Sequence, residues 1–108
     1  MRILVVDDDV ILLRTVSREL RYHGHEVVTL DDAAKVTPTD LANADVALLD
    51  WSPHGPAMVN ACRAACVPFV VFTGTPEEVP PGIPMVTKPW DRKGLESALQ
   101  VAMQRSTK

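Results

Sequence analysis

The sequence predicts an α/β fold in which a parallel β-sheet lies between two layers of helices. Short aliphatic runs of strand length alternate with helical stretches along the chain. The runs are continuously apolar, which is typical of parallel strands that are buried on both faces. Two of them, residues 2–6 and 44–49, end abruptly in aspartate. Open α/β sheets bind ligands at the carboxyl ends of their strands, so these aspartates mark a candidate site.

The first part of the chain predicts two strands and a long helix. Arg2 to Val6 is a β-branched and aliphatic run of strand length. The next stretch has helical spacing, because apolar residues recur every three to four positions at Val10, Leu13, Val16 and Leu20. An aspartate of the 7-to-9 cluster can cap this helix, and Tyr22-His23-Gly24 ends it. His25 to Leu30 forms the second strand.

The middle of the chain predicts a short helix and the central strand. Asp31 to Ala34 can begin a helix, which we expect the segment Thr37-Pro38-Thr39 to interrupt. Residues 40–44 then lead into the apolar run Ala44 to Trp51. This run is too short for a helix and predicts a buried central strand with Asp50 at its carboxyl end.

The last part of the chain predicts two helices and two strands. Pro56 suits a helix first turn, and residues 57–65 form a small-residue helix with Met58, Val59 and Cys62 facing inward. Residues 67–72 form the fourth strand and residues 85–87 a short fifth one. Four prolines within residues 76–84 allow at most one helical turn there. Residues 91–104 form an amphipathic final helix, with Asp91 as its cap and Leu95, Leu99 and Ala102 on one face.

Five such strands predict a flavodoxin-like, doubly wound sheet with the order 2-1-3-4-5 and a short or missing fourth helix. Strands one and three are then neighbours, so Asp7, Asp8 and Asp50 converge. Two carboxylates ~4 Å apart repel by about 4 kcal/mol at an effective dielectric constant of 20. A Mg²⁺ ion with oxygen ligands answers this repulsion best. The alternative is a structural cluster in which one aspartate holds a proton.

Two further polar residues follow the remaining strands. Thr73 follows strand four and Lys88 follows strand five. Together with the aspartates they provide a nucleophile, a metal site, a hydroxyl and a fixed cation. This is the equipment for phosphoryl transfer to a carboxylate, in which a protein mainly positions groups and neutralises charge.

These motifs resemble the receiver domains of two-component response regulators. The resemblance spans the chain through residues 3–9, Leu48-Leu49-Asp50, Phe72-Thr73-Gly74 and Thr87-Lys88-Pro89-Trp90. It implies that Asp50 is the phosphoacceptor, that Thr73 holds a phosphoryl oxygen and that Lys88 pairs with the phosphoryl group. It also implies a cis Lys88-Pro89 bond.

The same resemblance implies a set of Mg²⁺ ligands. Asp8 and Asp50 would bind the ion directly, together with the backbone carbonyl of Ser52. Asp7 would assist through water or from behind the direct ligands.

The chain also departs from the receiver pattern. The spacings from Asp50 to Thr73 and from Thr73 to Lys88 are 23 and 15 residues, shorter than receivers usually show. The third helix is clipped, and a proline-rich loop replaces most of the fourth. Met85 occupies the position at which the family carries an aromatic residue that relays the signal. Acceptance of a phosphoryl group is therefore expected, while the usual output route is altered.

Composition excludes several classes of function. The net charge is −3 and there is no run of Lys or Arg, which argues against direct nucleic-acid binding. No stretch is long and apolar enough to be a membrane span or signal peptide, so we expect a cytoplasmic protein. Cys62 and Cys66 lie four apart in a helical pattern, which is neither a redox motif nor a zinc site. We expect both to be partly buried helix residues.

We therefore expect a single receiver domain over residues 1–108, without a fused output domain. It would accept a phosphoryl group from a sensor histidine kinase or phosphotransfer protein, and would not be an enzyme beyond self-catalysed transfer and hydrolysis. Its output would be contact with a downstream protein or onward phosphotransfer, and homodimerisation stays open. The alternative is a pseudo-receiver that acts through binding alone.

Two other readings are disfavoured. A flavin or nucleotide phosphate would face the aspartates at 7–9, and a phosphatase would need a second carboxylate two residues after Asp50. Three neighbours of the site also need weighing. Trp51 either gates Asp50 or packs against the first helix. His54 is expected to be a surface turn residue, and Asp9 a first-turn helix residue. Trp90 is expected to pack beside the final helix.

Overall fold

A five-stranded parallel sheet forms the centre of the molecule. The computed structural model describes residues 1–51, 54–87, 94, 96, 97, 99 and 100. The strands are β1 (Arg2–Val6), β2 (Glu26–Leu30), β3 (Val46–Asp50), β4 (Phe69–Thr73) and β5 (Met85–Thr87). Their order is β2-β1-β3-β4-β5, which confirms the predicted flavodoxin-like topology. The two strands that end in aspartate, β1 and β3, are therefore neighbours.

Three α-helices have complete bounds in the described part of the chain. They are α1 (Val10–Tyr22), α2 (Pro38–Asn43) and α3 (Gly55–Ala64). Short 3₁₀ turns occupy Ala33–Lys35 and Pro76–Glu78. Residues 94, 96, 97, 99 and 100 are helical, whereas the rest of the predicted helix over 91–104 lies outside the described residues. None of the described helices is long and apolar enough to cross a membrane.

The sheet is buried on both faces. Ile3 and Val5 contribute to a cluster with the buried side of α1 and with Leu99, whereas Leu4 and Val6 contribute to a second cluster that includes residues of α2 and α3. Successive side chains of a strand point to opposite faces, so a strand covered on both faces needs an apolar residue at every position. This requirement explains the uninterrupted aliphatic runs in the sequence.

The segment Thr37-Pro38-Thr39 begins a helix, and the predicted interruption is wrong. The Thr37 hydroxyl accepts a hydrogen bond from the Asp40 N–H (3.1 Å), and the Asp40 carboxylate accepts one from the Thr37 N–H (2.9 Å). This capping box satisfies N–H groups that a helix end would otherwise leave unpaired. Pro38 stands in the first turn, where a missing N–H costs nothing.

The other differences are smaller. Val10 was expected to face the core, but 49% of its surface is exposed because it stands at the first position of α1. α3 begins at Gly55 rather than Ala57, and its predicted inward residues Met58, Val59 and Cys62 are buried. The proline-rich segment forms only the turn Pro76–Glu78, which confirms the limit of one turn.

The two cysteines differ in environment, so the expectation that both are partly buried is wrong: Cys62 is buried and Cys66 is exposed. Burial raises the pKa of the Cys62 thiol from 9.0 to about 11, because an apolar environment disfavours the thiolate. Folding thus favours the protonated thiol. The stability contributed by this group is present below pH 9 and is lost as the pH rises towards 11.

We predict that at pH 8 a chromogenic aromatic disulfide modifies only one thiol of the native protein and both thiols in denaturant, because the reactive species is the exposed thiolate. Absorbance of the released thiol gives the count. The Cys66→Ser variant is the control and should show no reaction while folded. Rapid modification of that folded variant would contradict the burial of Cys62.

Candidate functional site

Three carboxylates meet at the carboxyl ends of β1 and β3. The register pairs Val6 with Leu49, so Asp7 and Asp50 occupy the next positions of adjacent strands. Asp8 follows in the loop to α1. One carboxylate oxygen from each of these three aspartates lies within 4.8 Å of the other two. The structure thus brings together the side chains for which the sequence predicted a metal site.

The three aspartates differ in burial. Asp7 is 3% exposed, Asp50 is partly buried and Asp8 is exposed. The Asp7 main chain is fixed by its N–H donating to the Leu30 carbonyl (3.1 Å), and its Oδ1 accepts a hydrogen bond from the Asp9 N–H (2.9 Å). A graded site of this kind suits a hard cation that takes carboxylate oxygens on one side and keeps water on the other.

Asp9 has a separate, structural role. It is the N-cap of α1, and its Oδ1 accepts hydrogen bonds from the N–H groups of Ile11 (3.0 Å) and Leu12 (3.1 Å). It therefore stands one position before the helix rather than in its first turn. Its capping bonds anchor α1 directly beside the carboxylate cluster.

The aspartates line a cleft of about 240 Å³ that also contains residues not singled out as site residues from the sequence. These are Asp31 and Asp32, which follow β2, and the exposed His54, which immediately precedes α3. A signal for the first two was present, because β2 is a third strand followed by acidic residues. The position of His54 depends on the turn after β3, which a sequence pattern does not specify.

The two additional aspartates already have partners. Asp31 accepts a hydrogen bond from the Lys35 ammonium (2.8 Å), and Asp32 accepts one from the Ala34 N–H (2.9 Å). The hydrogen bond and charge of Lys35 lower the pKa of the Asp31 carboxyl. Asp31 therefore remains ionised with a balancing cation beside it.

Thr73 ends β4 and is 2% exposed. Its hydroxyl oxygen accepts a hydrogen bond from the Thr75 N–H (2.9 Å) and lies 3.2 Å from the Thr75 hydroxyl, which in turn donates to Glu78 Oε2 (3.1 Å). Asp50 pairs with Phe72, so Thr73 stands one position further along the neighbouring strand. The hydroxyl thus connects the end of β4 to the turn over Pro76–Glu78.

Trp51 packs on the side of the sheet that carries α2 and α3. An added Cβ on Gly55 would lie 2.7 Å from Trp51 Cε3, so the indole ring occupies the space beside that glycine. The expected packing against the first helix is therefore wrong. The cause is the layering of the fold, because α1 lies on the opposite face of the sheet.

The remaining predicted residues have different standings. Lys88, the Ser52 carbonyl, the Lys88-Pro89 bond and Trp90 lie outside the described residues. Met85 begins β5 and is 40% exposed, as an outward position on a short edge strand allows.

No protein-family model and no curated protein sequence matches this chain. Solved structures do match it. A response-regulator receiver domain protein from Clostridium thermocellum is 21% identical, with a TM-score of 0.83 over 98% of this chain and 96% of that one. The chain has the receiver-domain fold.

Two more receiver-fold structures support the same assignment. The receiver domain of the hybrid histidine kinase CckA is 26% identical, with a TM-score of 0.76 over 96% of this chain and all of that one. The chemotaxis protein CheY4 from Vibrio cholerae is 25% identical, with a TM-score of 0.75 over 94% and 97% of the two chains. In this receiver fold, the carboxylate cluster stands at the ends of the two central strands.

We predict that Gly55→Ala lowers the free energy of unfolding by about 1–3 kcal/mol, because the new methyl group meets the Trp51 ring and overpacks the site. Urea denaturation followed by circular dichroism measures the change. Gly74→Ala is the matched control, because an added Cβ there meets nothing within 4 Å. Equal stability of the two variants would show that Trp51 moves aside without cost.

We predict that Asp8→Asn stabilises the metal-free protein by about 1 kcal/mol, since it removes one exposed charge from the cluster. The same change should abolish stabilisation by Mg²⁺, which for the unchanged protein reaches about 2.7 kcal/mol at a concentration 100 times the dissociation constant. Thermal denaturation with and without Mg²⁺ measures both effects. The control Glu77→Gln removes an exposed charge in the turn over Pro76–Glu78 and should change neither quantity.

Proposed function

We propose that this chain accepts a phosphoryl group on Asp50 in a two-component signalling pathway. The observation that carries the proposal is the convergence of Asp7, Asp8 and Asp50 within 4.8 Å at the ends of β1 and β3. In a fold shared with receiver domains, this cluster supplies both a carboxylate nucleophile and an oxygen-rich cation site.

The donor set fits Mg²⁺. It consists of hard carboxylate oxygens that range from buried to exposed, so part of the coordination shell is left to water. Asp8 and Asp50 would hold the ion directly, Asp7 would assist, and the Ser52 carbonyl would complete the protein ligands. When bound, the ion would neutralise negative charge on the carboxylates and the incoming phosphoryl group.

The Asp50 carboxylate performs the chemical step in this proposal. One of its oxygens attacks the phosphorus of a phosphohistidine, a P–O bond forms and the P–N bond breaks. The electron pair of that bond returns to the imidazole of the donor, which takes up a proton. The product is an aspartyl phosphate, so the chain is a phosphoacceptor rather than an enzyme with a separate substrate.

Thr73 and Lys88 would hold the transferred group. The Thr73 hydroxyl would donate to a phosphoryl oxygen, and the Lys88 ammonium would pair with the added charge of about −1.5 to −2. The hydroxyl of Thr73 is already hydrogen-bonded to Thr75. Engagement with the phosphoryl group would therefore disturb the contacts that hold the turn over Pro76–Glu78.

That connection supplies a route from the site to the surface. The chain of hydrogen bonds runs from Thr73 through Thr75 to Glu78 and needs no aromatic residue at Met85. Phosphorylation would reorder residues 74–84 and present a changed surface to a downstream protein or phosphotransfer partner. A sensor histidine kinase or phosphotransfer protein would be the donor. The proposal treats residues 1–108 as one receiver domain that acts in the cytoplasm.

We predict that incubation with acetyl phosphate and Mg²⁺ adds one phosphoryl group, which intact mass spectrometry detects. Asp50→Asn and a metal-free sample should remain unmodified, because one lacks the nucleophile and the other the charge neutralisation. Asp45→Asn is a matched control outside the site, at the opposite end of β3, and should still be modified. Hydrogen exchange of the modified protein should change within residues 74–84.

The outcomes separate the two functions considered. If acetyl phosphate and a phosphorylated histidine kinase domain both fail while Mg²⁺ still stabilises the protein, phosphoryl acceptance is wrong. The pseudo-receiver, which signals through binding alone, then replaces it. Modification without any change in the exchange of residues 74–84 would retain the phosphoacceptor and reject the proposed output route.

A further inference from the structure

A basic groove runs between α1 and the outer strand β2. It has a volume of about 720 Å³, and its cations are Arg14, Arg18, Arg21 and Lys35. The described residues contain six Lys and Arg side chains, so four of the six line this one groove. The concentration is notable in a chain whose net charge is −3.

Two of these cations are available to a partner. Arg14 and Arg18 are exposed, stand one helical turn apart, and form no ion pair within the described part of the chain. Like charges at this spacing destabilise a helix slightly. Lys35 is paired with Asp31, and Arg21 is hydrogen-bonded to the main chain.

The outer edge of β2 is open to a further strand. The Glu26 N–H donates to the Met1 carbonyl, and the Leu30 carbonyl accepts from the Asp7 N–H, so residues 26, 28 and 30 turn their main-chain groups towards β1. In a parallel ladder, Val27 and Thr29 then turn theirs outward. No other strand of the described residues pairs with that edge.

One outward group is already protected. The Arg21 guanidinium donates from Nη2 to the Val27 carbonyl (3.0 Å), which covers that part of the edge. Thr29, two residues further on, lines the groove together with Arg14 and Arg18. The groove therefore combines an open stretch of strand edge with a row of cations.

We propose that this groove binds an extended, acidic segment of a partner protein, which adds to the outer edge of β2 at Thr29. Its carboxylates would pair with Arg14 and Arg18. Alternate side chains of a strand point the same way and lie ~6.6 Å apart, whereas residues four apart on a helix are separated by ~6 Å along the axis. A segment with an acidic residue at every second position therefore matches the two arginines.

The groove favours a peptide over a nucleic acid. Its walls include the apolar side chains of Val10 and Leu13, and its lining also contains the Asp31 carboxylate. A peptide supplies both main-chain groups for Thr29 and apolar side chains for the walls. A phosphodiester backbone supplies neither, and it would be repelled by Asp31. This binding function goes beyond phosphoryl acceptance and does not depend on it.

Fluorescence anisotropy with a labelled nine-residue peptide that alternates Glu with Thr or Val tests the proposal. We expect binding that weakens with added salt, and about twofold to fivefold weaker binding for Arg14→Gln and for Arg18→Gln. Arg63→Gln is the matched control, because it removes the same charge from α3 and should leave the affinity unchanged. Circular dichroism checks that each variant is folded.

Comparison ligands distinguish the possible occupants. A peptide of the same charge with N-methylated main-chain amides should bind at least tenfold more weakly if strand addition occurs, and equal binding would overturn it. Tighter binding of a ten-nucleotide thymidine oligonucleotide would replace the peptide with a nucleic acid. Self-association of the chain that Arg14→Gln abolishes would make a second copy the occupant and would likewise overturn the proposal.

Discussion

The structure depends on holding three carboxylates within 4.8 Å of one another. Their mutual repulsion disfavours this arrangement, so the elements that carry them must resist moving apart. β1 and β3 do so because both are buried on both faces and pair directly, as Val6 with Leu49. The repulsion is thus concentrated at the best-packed part of the sheet, where an incoming cation would remove it.

Much of the fold could be predicted from the sequence because burial on both faces leaves a strong pattern. Strands such as Val46–Asp50 tolerate no polar residue before their last position, and each ended within two residues of its predicted limit. The segment Thr37-Pro38-Thr39 was misread because threonine and proline occur both in loops and at helix starts. Only the reciprocal hydrogen bonds with Asp40 distinguish the two cases, and they require the folded geometry.

The candidate site divides in the same way. Asp7, Asp8 and Asp50 could be placed together because strand order alone brings the ends of β1 and β3 to one edge. His54 and Asp32 could not, because their approach to the cleft depends on the path of two loops. The neighbours of Trp51 were misjudged for a related reason. The residue after a strand can turn to either face, and here the space beside Gly55 decides the direction.

Asp31 connects the acidic cleft with the basic groove, because it lines both. Its partner Lys35 is 60% exposed and Asp31 itself 47%, and ion pairs of such exposure contribute about 1 kcal/mol or less. An acidic segment that drew Lys35 away would therefore change the potential in the cleft only slightly. Phosphoryl chemistry at Asp50 and peptide binding at Thr29 are consequently expected to be nearly independent in energy. Any strong coupling between them would have to pass through movement of α1, which Asp9 anchors beside the carboxylates.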